Sequence, residues 1–212
     1  MTADAHLAAE FYGSARGGVT ARVLRERLLA MWPSAQGESL LGIGYAMPYL
    51  RLWRDQAVRC IALTPAQMGA ARWPPGVPNL SCAAEEDSLP FADLTFDRIL
   101  LVHGLEMAEN ARRLLREAWR VLKDDGRLLI ALPAPDDLIE LRGSGHDRTA
   151  RTIHEFATSF ALADRRRVTT TADLDGAAVQ DVLVSIYRPL RSRPAEAMRV
   201  TFSLDLLLFH PA

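Results

Sequence analysis

The first feature of this sequence that could do chemistry is a pair of glycines one residue apart. Gly42 and Gly44 end a short apolar run that begins at Ser39, and Pro48 opens a helical segment shortly afterwards. This order is typical of a strand, a tight turn and a helix amino terminus. The backbone N–H groups at such a turn can hold a ligand carboxylate or phosphate, so the stretch predicts a ligand site.

Other residue types that carry chemistry are scattered along the chain. The two cysteines, Cys60 and Cys82, fall on separate predicted strands without nearby histidines, and there is no Gly-x-Ser-x-Gly elbow. We therefore expect neither a metal site nor a serine hydrolase, and we expect plain buried thiols in a reducing cytoplasm. The histidines also lack the spacing of metal ligands; they are His6, His103, His146, His154 and His210.

Charge and hydropathy exclude several classes of partner. The 212 residues include 25 basic and 26 acidic ones, so no overall basic field favours nucleic acid or a membrane surface. The chain lacks the apolar span of about 18 residues that would predict a transmembrane helix, and its first residues do not resemble a signal peptide. We expect a cytoplasmic protein with a small-molecule partner, and the sequence leaves the oligomeric state open.

Strands and helices alternate between residues 39 and 132. This alternation implies an α/β fold with a doubly wound parallel sheet, whose strand carboxyl ends share the edge where ligands bind. The predicted strands are 39–42, 58–63, 79–83, 96–102 and 128–132, and the predicted helices are 20–31, 48–53, 66–72 and 108–122.

The remainder of the chain predicts a helix and two closing strands. Thr149–Leu162 has helical periodicity, whereas Val182–Tyr187 and Met198–Phe209 favour strands on either side of the turn-rich Pro189–Pro194. We expect these strands to finish the sheet as an antiparallel pair.

Two longer segments carry a family resemblance. Residues 86–97 are EDSLPFADLTFD, and residues 114–130 are LLREAWRVLKDDGRLLI. In this order and spacing behind the glycine turn, they resemble the small-molecule branch of the class I S-adenosylmethionine-dependent methyltransferases over residues 38–132. The resemblance implies a Rossmann-like, mostly parallel seven-stranded sheet with helices on both faces and an antiparallel C-terminal strand. It also implies one domain over 1–212, composed of a helical cap (1–37), a cofactor-binding core (38–132) and a substrate-side helix with closing strands (133–212).

The resemblance implies that the cofactor is S-adenosylmethionine. It also implies which residues along the sheet edge would contact each part of the cofactor. The glycine turn would face the methionine part, and Glu85 would accept a hydrogen bond from the adenine amino group. Leu63 and Leu89 would enclose the adenine ring. The full set of cofactor-binding residues that the resemblance implies is Gly42, Ile43, Gly44, Tyr45, Ala62, Leu63, Glu85, Glu86, Asp87, Leu89 and Val102.

The sequence departs from the family pattern at three positions. Leu40 stands two residues before the first glycine, where the family usually has an acid, and Ala46 replaces the third glycine. Ala62 stands where an acid usually binds both ribose hydroxyls. Because a charge-assisted hydrogen bond contributes about 1.5–3 kcal/mol, the loss of a two-bond clamp would weaken cofactor binding by about two orders of magnitude or more. Tyr45 and Met47 also add bulk beside the pocket.

Methyl transfer depends mainly on positioning, so the resemblance supplies no universal catalytic residue. His103 follows the fourth strand at the substrate edge and is a candidate general base, or else a histidine packed in a loop. Tyr12 is a candidate for closing a lid, and His146 and Arg148 are candidates for contacting an anionic substrate. Ordinary packing or solvated-loop roles stay open for all three.

The primary expectation is a methyltransferase that positions the cofactor methyl group for direct transfer to a small molecule. The missing acids at Leu40 and Ala62 leave open a catalytically degenerate methyltransferase fold that serves as a binding or scaffold module. A nicotinamide-dependent oxidoreductase would account for Gly42 and Gly44. However, the third glycine of that fingerprint and its ribose acid about twenty residues later are absent.

Overall fold

The computed structural model describes residues 15–66, 72–106, 108–143, 147–185 and 196–212. Its strands are β1 (Ser39–Gly44), β2 (Arg59–Pro65), β3 (Ser81–Ala84), β4 (Phe96–Val102), β5 (Leu122–Pro133), β6 (Phe160–Leu174) and β7 (Met198–Pro211). Its helices are α1 (Ala15–Met31), α2 (Met47–Leu50), α3 (Ala111–Val121), α4 (Ile139–Arg142), α5 (Arg148–Phe156) and α6 (Gly176–Ser185). Among these described helices, none is long and apolar enough to cross a membrane.

The strands of the described residues form one seven-stranded sheet in the order β3-β2-β1-β4-β5-β7-β6. Strands β1 to β5 pair in parallel, whereas β7 runs antiparallel to both β5 and β6. The predicted α/β fold, with a mostly parallel sheet and an antiparallel C-terminal strand, is confirmed. Dinucleotide-binding folds usually have the strand order 3-2-1-4-5-6. The insertion of β7 beside β5 therefore disfavours the nicotinamide alternative.

Helices cover both faces of the sheet because neighbouring residues of each buried strand point in opposite directions. Leu40 of β1 packs with Leu28 of α1 and Tyr49 near the end of α2, in a group that we call the first core cluster. The adjacent Leu41 packs with Leu115 of α3, in the second core cluster. The strand edge where β1, β2 and β4 end is therefore held rigidly from both sides.

The predicted strand at Val182–Tyr187 is wrong over the part that the structure describes, because residues up to Ser185 belong to α6. Asp175 caps this helix, and its carboxylate accepts a hydrogen bond from the Ala178 N–H at 2.9 Å. Val179 and Val182 of α6 lie three residues apart, as on one face of a helix, and are buried in a third cluster that also contains Leu141 of α4. Short runs of β-branched residues do not by themselves distinguish a strand from a buried helix.

The first member of the closing antiparallel pair is β6, which pairs with β7 along its whole length. The predicted helix at Thr149–Leu162 is correct only as far as Phe156, and Leu162 already belongs to β6. The strand is difficult to predict from the sequence because it carries three arginines at 165–167. These long, charged side chains are exposed to solvent. The second predicted strand of the pair, at Met198–Phe209, is confirmed as β7.

Candidate functional site

The glycine turn lies at Gly44, the last residue of β1. Its φ is +74°, and a Cβ atom placed there would lie 2.6 Å from the Val102 carbonyl oxygen and 3.0 Å from the Gly104 Cα. The next residue, Tyr45, donates its backbone N–H to the same Val102 oxygen at 2.8 Å. The backbones that leave β1 and β4 therefore meet at the carboxyl edge, and only glycine fits at position 44.

Gly42 has a different role from Gly44. It lies inside β1, where a Cβ atom would come within 2.5 Å of Leu50 Cδ1 and 2.8 Å of Ala46 Cβ. Close packing of α2 onto the strand thus requires glycine at this position. Leu40, which stands where the family usually has an acid, is 1% exposed and packs in the first core cluster.

Tyr45 and Met47 pack against the first core cluster and stay partly exposed. Burial raises the pKa of Tyr45, while the nearby Arg25 of α1 acts in the opposite direction. These side chains therefore connect the turn to α1.

The end of β2 presents apolar residues at the sheet edge. Ala62 pairs in register with Gly42 and with Ser81, and it is 1% exposed. Leu63 and Leu89 both belong to the second core cluster, with exposures of 1% and 4%. The two leucines that we expected to flank an adenine ring thus belong to the same core cluster, and other described residues already bury them.

The three consecutive acids after β3 have separate environments. Glu85 is exposed, and Asp87 is an exposed carboxylate that pairs with Arg113 at 2.8 Å. Glu86 is buried, and its carboxylate accepts the Glu109 and Asn110 backbone N–H groups, each at 3.2 Å. These N–H groups belong to the start of α3, where a carboxylate is favoured by the helix dipole. Glu85 is therefore the acid best placed for an external ligand.

The loop at residues 85–93, which we call the LPF loop, is fastened to α3 by two charged residues. Arg120 donates to the Leu89 and Phe91 carbonyl oxygens at 3.0 and 2.8 Å, and Glu117 accepts the Leu89 N–H at 2.9 Å. The hydrogen bond from Arg120 is the largest influence that lowers the pKa of Glu117. Sequence reasoning did not identify this role of Arg120. The feature of the sequence that could have indicated this role was the joint occurrence of the two family segments.

His103 lies at the carboxyl edge directly after β4, between the two residues that contact Gly44. Its φ is +51°, an uncommon value for a non-glycine residue, and its side chain is 7% exposed. Its Nδ1 lies 2.7 Å from Oε1 of Glu106, whose side chain is 2% exposed. The predicted candidate base is therefore close to the glycine turn and already paired with a buried carboxylate.

Asp137, from the segment after β5, extends this polar group. Its Oδ1 accepts the Ser203 N–H at 2.9 Å, and its Oδ2 lies 3.5 Å from Nη2 of Arg142. Burial raises the pKa of Asp137 to about 6, although the Ser203 hydrogen bond and Arg142 oppose the shift. His103 and Glu106 are near enough to act on it electrostatically. We call these four side chains, His103, Glu106, Asp137 and Arg142, the edge cluster.

Sequence reasoning missed Glu106 and Asp137. Glu106 lies only three residues after His103, and this spacing was the available signal. Asp137 approaches the pair through the tertiary fold alone.

The remaining substrate candidates are not brought together by the described residues. Arg148 begins α5 and is partly exposed, and the adjacent Asp147 caps that helix by accepting the Ala150 N–H at 2.8 Å. Tyr12 and His146 lie outside the described residues. Within the described ranges, no group of three or more acidic, histidine or cysteine side chains could hold a metal ion.

A buried carboxylate on β7 joins three elements at the end of the sheet. Asp205 is fully buried and accepts hydrogen bonds from Thr149 at 2.7 Å, from Arg165 at 2.9 Å and from Arg167 at 2.9 Å. These contacts fix the first turn of α5 to β6 and β7. They also engage two of the three consecutive arginines, so these guanidinium groups are only partly available to a ligand.

Comparison with known proteins agrees with this geometry. A family model described as a methyltransferase domain matches residues 40–130. A malonyl-[acyl-carrier protein] O-methyltransferase from Halorhodospira halophila is 31% identical over 128 residues, which cover 58% of this chain and 43% of that protein. The chain thus spans less than half the length of the curated relatives that it matches.

Solved structures share the fold over most of their length. The YcgJ protein of Bacillus subtilis superposes with a TM-score of 0.62 at 18% identity, covering 88% of this chain and 96% of that one. A Bacillus halodurans protein assigned to the methyltransferases gives a TM-score of 0.61 at 13% identity, covering 88% and 97%. At these identities the likeness shows the fold alone.

Proposed function

We propose that this chain, whose residues 40–130 match a methyltransferase domain, is a class I S-adenosylmethionine-dependent methyltransferase that methylates a small molecule. The observation that carries this proposal is the backbone contact between Gly44 and the Val102–Gly104 segment, with His103 between the two contacting residues. This contact brings the ends of β1 and β4 together at the carboxyl edge of the sheet, which is where open α/β sheets bind their ligands.

The residues at the edge fit parts of the cofactor unequally. Gly44 and Tyr45 would face its methionine part, and the exposed Glu85 would accept the adenine amino group. Leu63 and Leu89 would border the adenine ring after a local adjustment, because both are enclosed in the present packing. Ala62 supplies no carboxylate for the ribose, so we expect binding about 100-fold or more weaker than with the usual two-bond clamp.

When bound, the cofactor supplies a methyl group on a positively charged sulfur. The work of the chain is to bring an acceptor atom in line with that methyl group and to keep water away, which can lower the barrier by several kcal/mol. We expect an acceptor to approach from the side of His103 and the other residues of the edge cluster.

Titration calorimetry with S-adenosylmethionine and S-adenosylhomocysteine tests this function directly. We expect saturable heat for both ligands and none for NADH at the same concentration. Glu85→Gln should weaken binding roughly 10-fold to 100-fold, because it removes a charged acceptor of one hydrogen bond. The matched control is Asp125→Asn, an exposed acid in the part of β5 that lies before the core of the sheet, which should bind like the parent protein. A folded protein without detectable heat at millimolar ligand would refute the proposal.

A second candidate function is a binding or scaffold module that has lost the cofactor. It is favoured by Ala62 and by the enclosed positions of Leu63 and Leu89. The variant Ala62→Asp separates the two functions, because a buried carboxylate should lower stability unless ribose hydroxyls engage it. For an open pocket, S-adenosylhomocysteine should raise the melting temperature of Ala62→Asp more than that of the parent. Equal, negligible ligand effects on both proteins would support the scaffold function.

A further inference from the structure

We propose that the junction of α1 and α2 holds a binding site for the phosphate group of a small molecule, separate from the site of the cofactor. Arg22 and Arg25 come from α1, whereas Tyr49 lies in α2 and Arg51 directly follows it. We call these four side chains the arginine–tyrosine cluster. Arg22 and Arg51 are exposed, so the cluster opens to solvent. The inference goes beyond the proposed methyltransferase function and does not depend on it.

Tyr49 fixes the position of the cluster relative to the sheet. It is fully buried and packs in the first core cluster with Leu24 and Leu28 of α1. Its backbone N–H donates to the Ala46 carbonyl oxygen at 2.9 Å, so it stands about one helical turn beyond the glycine turn. The chain after β1 leads from the carboxyl edge of the sheet back to the start of the parallel β2. Tyr49 and Arg51 therefore lie behind the edge at which we expect the cofactor.

Two buried donors of the cluster lack an acceptor. The Tyr49 hydroxyl and the Arg25 Nε atom are both buried, and neither has a hydrogen-bond partner among the described residues. Each side chain acts electrostatically on the other, so the two donors are close enough to share one ligand. Buried polar groups without a partner call for an explanation other than packing. An acceptor that enters between α1 and α2 provides one.

The charge of the cluster is positive and uncompensated. The groups that act on Arg25 are Arg51, Tyr49, Arg22 and Tyr45, and no carboxylate of the described residues is among them. Burial lowers the pKa of Arg25, and the two neighbouring guanidinium groups lower it further, whereas the tyrosines act in the opposite direction. Like charges repel more strongly where they are partly removed from water. A bound anion would relieve this repulsion.

The donors of the cluster suit a phosphate group. Nε and one Nη of a guanidinium form a fork that binds two phosphate oxygens side by side, and the Nε of Arg25 is available for it. Burial raises the pKa of Tyr49, so its hydroxyl keeps its proton at neutral pH and can donate. A phosphate monoester carries a charge of about −1.5 to −2 at pH 7, more than a carboxylate, and has three acceptor oxygens. Three guanidinium groups favour the larger charge.

Calorimetric titration with inorganic phosphate and with phenyl phosphate, at constant ionic strength, tests the site. We expect saturable binding to the parent protein and at least about tenfold weaker binding of acetate and of phosphate to Arg25→Gln. Arg27→Gln is the matched control, because it replaces an exposed arginine of the same helix and should bind like the parent. Tighter binding of phenyl phosphate would support a monoester as the source, and equal binding would support free phosphate. A parent without saturable phosphate binding, or an equal loss in Arg27→Gln, would overturn the proposal.

The variant Tyr49→Phe separates a ligand contact from a structural role. The hydroxyl has no partner in the structure, so the variant should be at least as stable as the parent to urea when phosphate is absent. Phosphate should nevertheless bind to it roughly tenfold more weakly, because one hydrogen bond to a charged group is lost. A variant that loses stability without phosphate, or that binds phosphate as tightly as the parent, would contradict the assignment.

Competition distinguishes this site from that of the cofactor. The affinity for phosphate should be the same with and without saturating S-adenosylhomocysteine. Displacement of phosphate by S-adenosylhomocysteine would overturn the proposal, because the arginines would then belong to the cofactor site. Failure of the proposed function is recognised separately, as absence of heat with S-adenosylhomocysteine, and the phosphate titrations of the variants still decide about the arginine–tyrosine cluster.

Discussion

Arg120 of α3 donates a hydrogen bond to the Phe91 carbonyl oxygen at 2.8 Å, so a helix side chain fixes the loop that follows β3. The same guanidinium binds the Leu89 carbonyl oxygen and pairs with Glu117 at 2.7 Å. The two sequence segments that carry the family resemblance are therefore joined by hydrogen bonds in space. Because the LPF loop also carries Glu85, the geometry of the proposed adenine site depends on α3.

Replacing Arg120 with alanine should lower the free energy of unfolding by about 2–4 kcal/mol. The substitution leaves the Leu89 and Phe91 carbonyl groups and the Glu117 carboxylate without their donor. Urea unfolding monitored by circular dichroism measures the change. Arg116→Ala, at an exposed position of the same helix, is the control and should alter stability by less than about 0.5 kcal/mol. Similar losses for the two variants would argue against the fastening role of Arg120.

Gly44→Ala should be more damaging than Gly37→Ala, although both glycines have a left-handed φ of about 75°. Nothing lies within 4 Å of a Cβ placed on Gly37, so alanine there costs only the backbone conformation, about 1–2 kcal/mol. Alanine at Gly44 also overlaps backbone atoms of Val102 and Gly104, which we expect to add about 2 kcal/mol or more. The difference between the two melting curves isolates this close approach. Equal destabilisation would show that the loop after β4 can move away at little cost.

The sequence predicted the part of the chain in which the spacing of apolar residues agrees with the burial seen in the structure. Strands such as β4, with its apolar run ending at Val102, are buried on both faces and alternate with helices, so both topology and edge could be predicted. In the tail, α6 combines β-branched residues with helical spacing, and β6 presents charged side chains to solvent. In α6 and β6 the local residue pattern favours a different secondary structure from the one that tertiary packing stabilises, and the packing determined the structure.

The sequence could predict only those residues of the candidate site whose positions follow from the strand that they end or follow. Gly44 and His103 follow strands directly, and their positions at the carboxyl edge follow from the topology. Asp137 lies more than thirty residues from His103 in sequence and approaches it because the segment after β5 packs along β7. Buried clusters of this kind depend on long-range packing, which single-sequence periodicity does not contain.

Asp205→Asn should lower stability by about 3 kcal/mol at pH 7, because it leaves Arg165 and Arg167 without their buried counter-charge. Burial alone would raise the pKa of Asp205, but hydrogen bonds from Arg167, Thr149 and Arg165 together keep it below its ordinary value. A lowered folded pKa means that this stabilisation is present above the unfolded pKa of about 3.9 and is lost as pH falls through the folded pKa.

The measurement for Asp205 is urea unfolding of the parent and the variant between pH 3 and pH 7. The two curves should converge only at the acidic end. Asp164→Asn is the control, since Asp164 forms a partly exposed pair with Arg166 at 2.9 Å and should matter by less than about 1 kcal/mol. A difference between parent and Asp205→Asn that stays constant down to the lowest pH would contradict the assignment.

Asp137 should give the opposite pH dependence from Asp205. Its pKa of about 6 in the folded protein lies above the ordinary value of 3.8, with burial as the main cause. Its stabilising contribution is therefore fully present below the unfolded pKa and is lost as pH rises through about 6. The difference of about 2 between the folded and unfolded pKa of Asp137 corresponds to roughly 3 kcal/mol.

Asp137→Asn keeps an acceptor for the Ser203 N–H but cannot ionise, so it should lack this pH dependence. We expect the parent to lose stability relative to Asp137→Asn between pH 4 and pH 6.5, with Arg142 limiting the loss and the neighbouring Glu106 adding to it. Urea midpoints at half-unit pH intervals give the comparison, and Asp125→Asn, at an exposed acid, should follow the parent at every pH. Parallel curves for the parent and Asp137→Asn would mean that Asp137 ionises as easily in the fold as in the unfolded chain. The edge cluster would then be open to water, and burial would not be the cause of the raised pKa of Asp137.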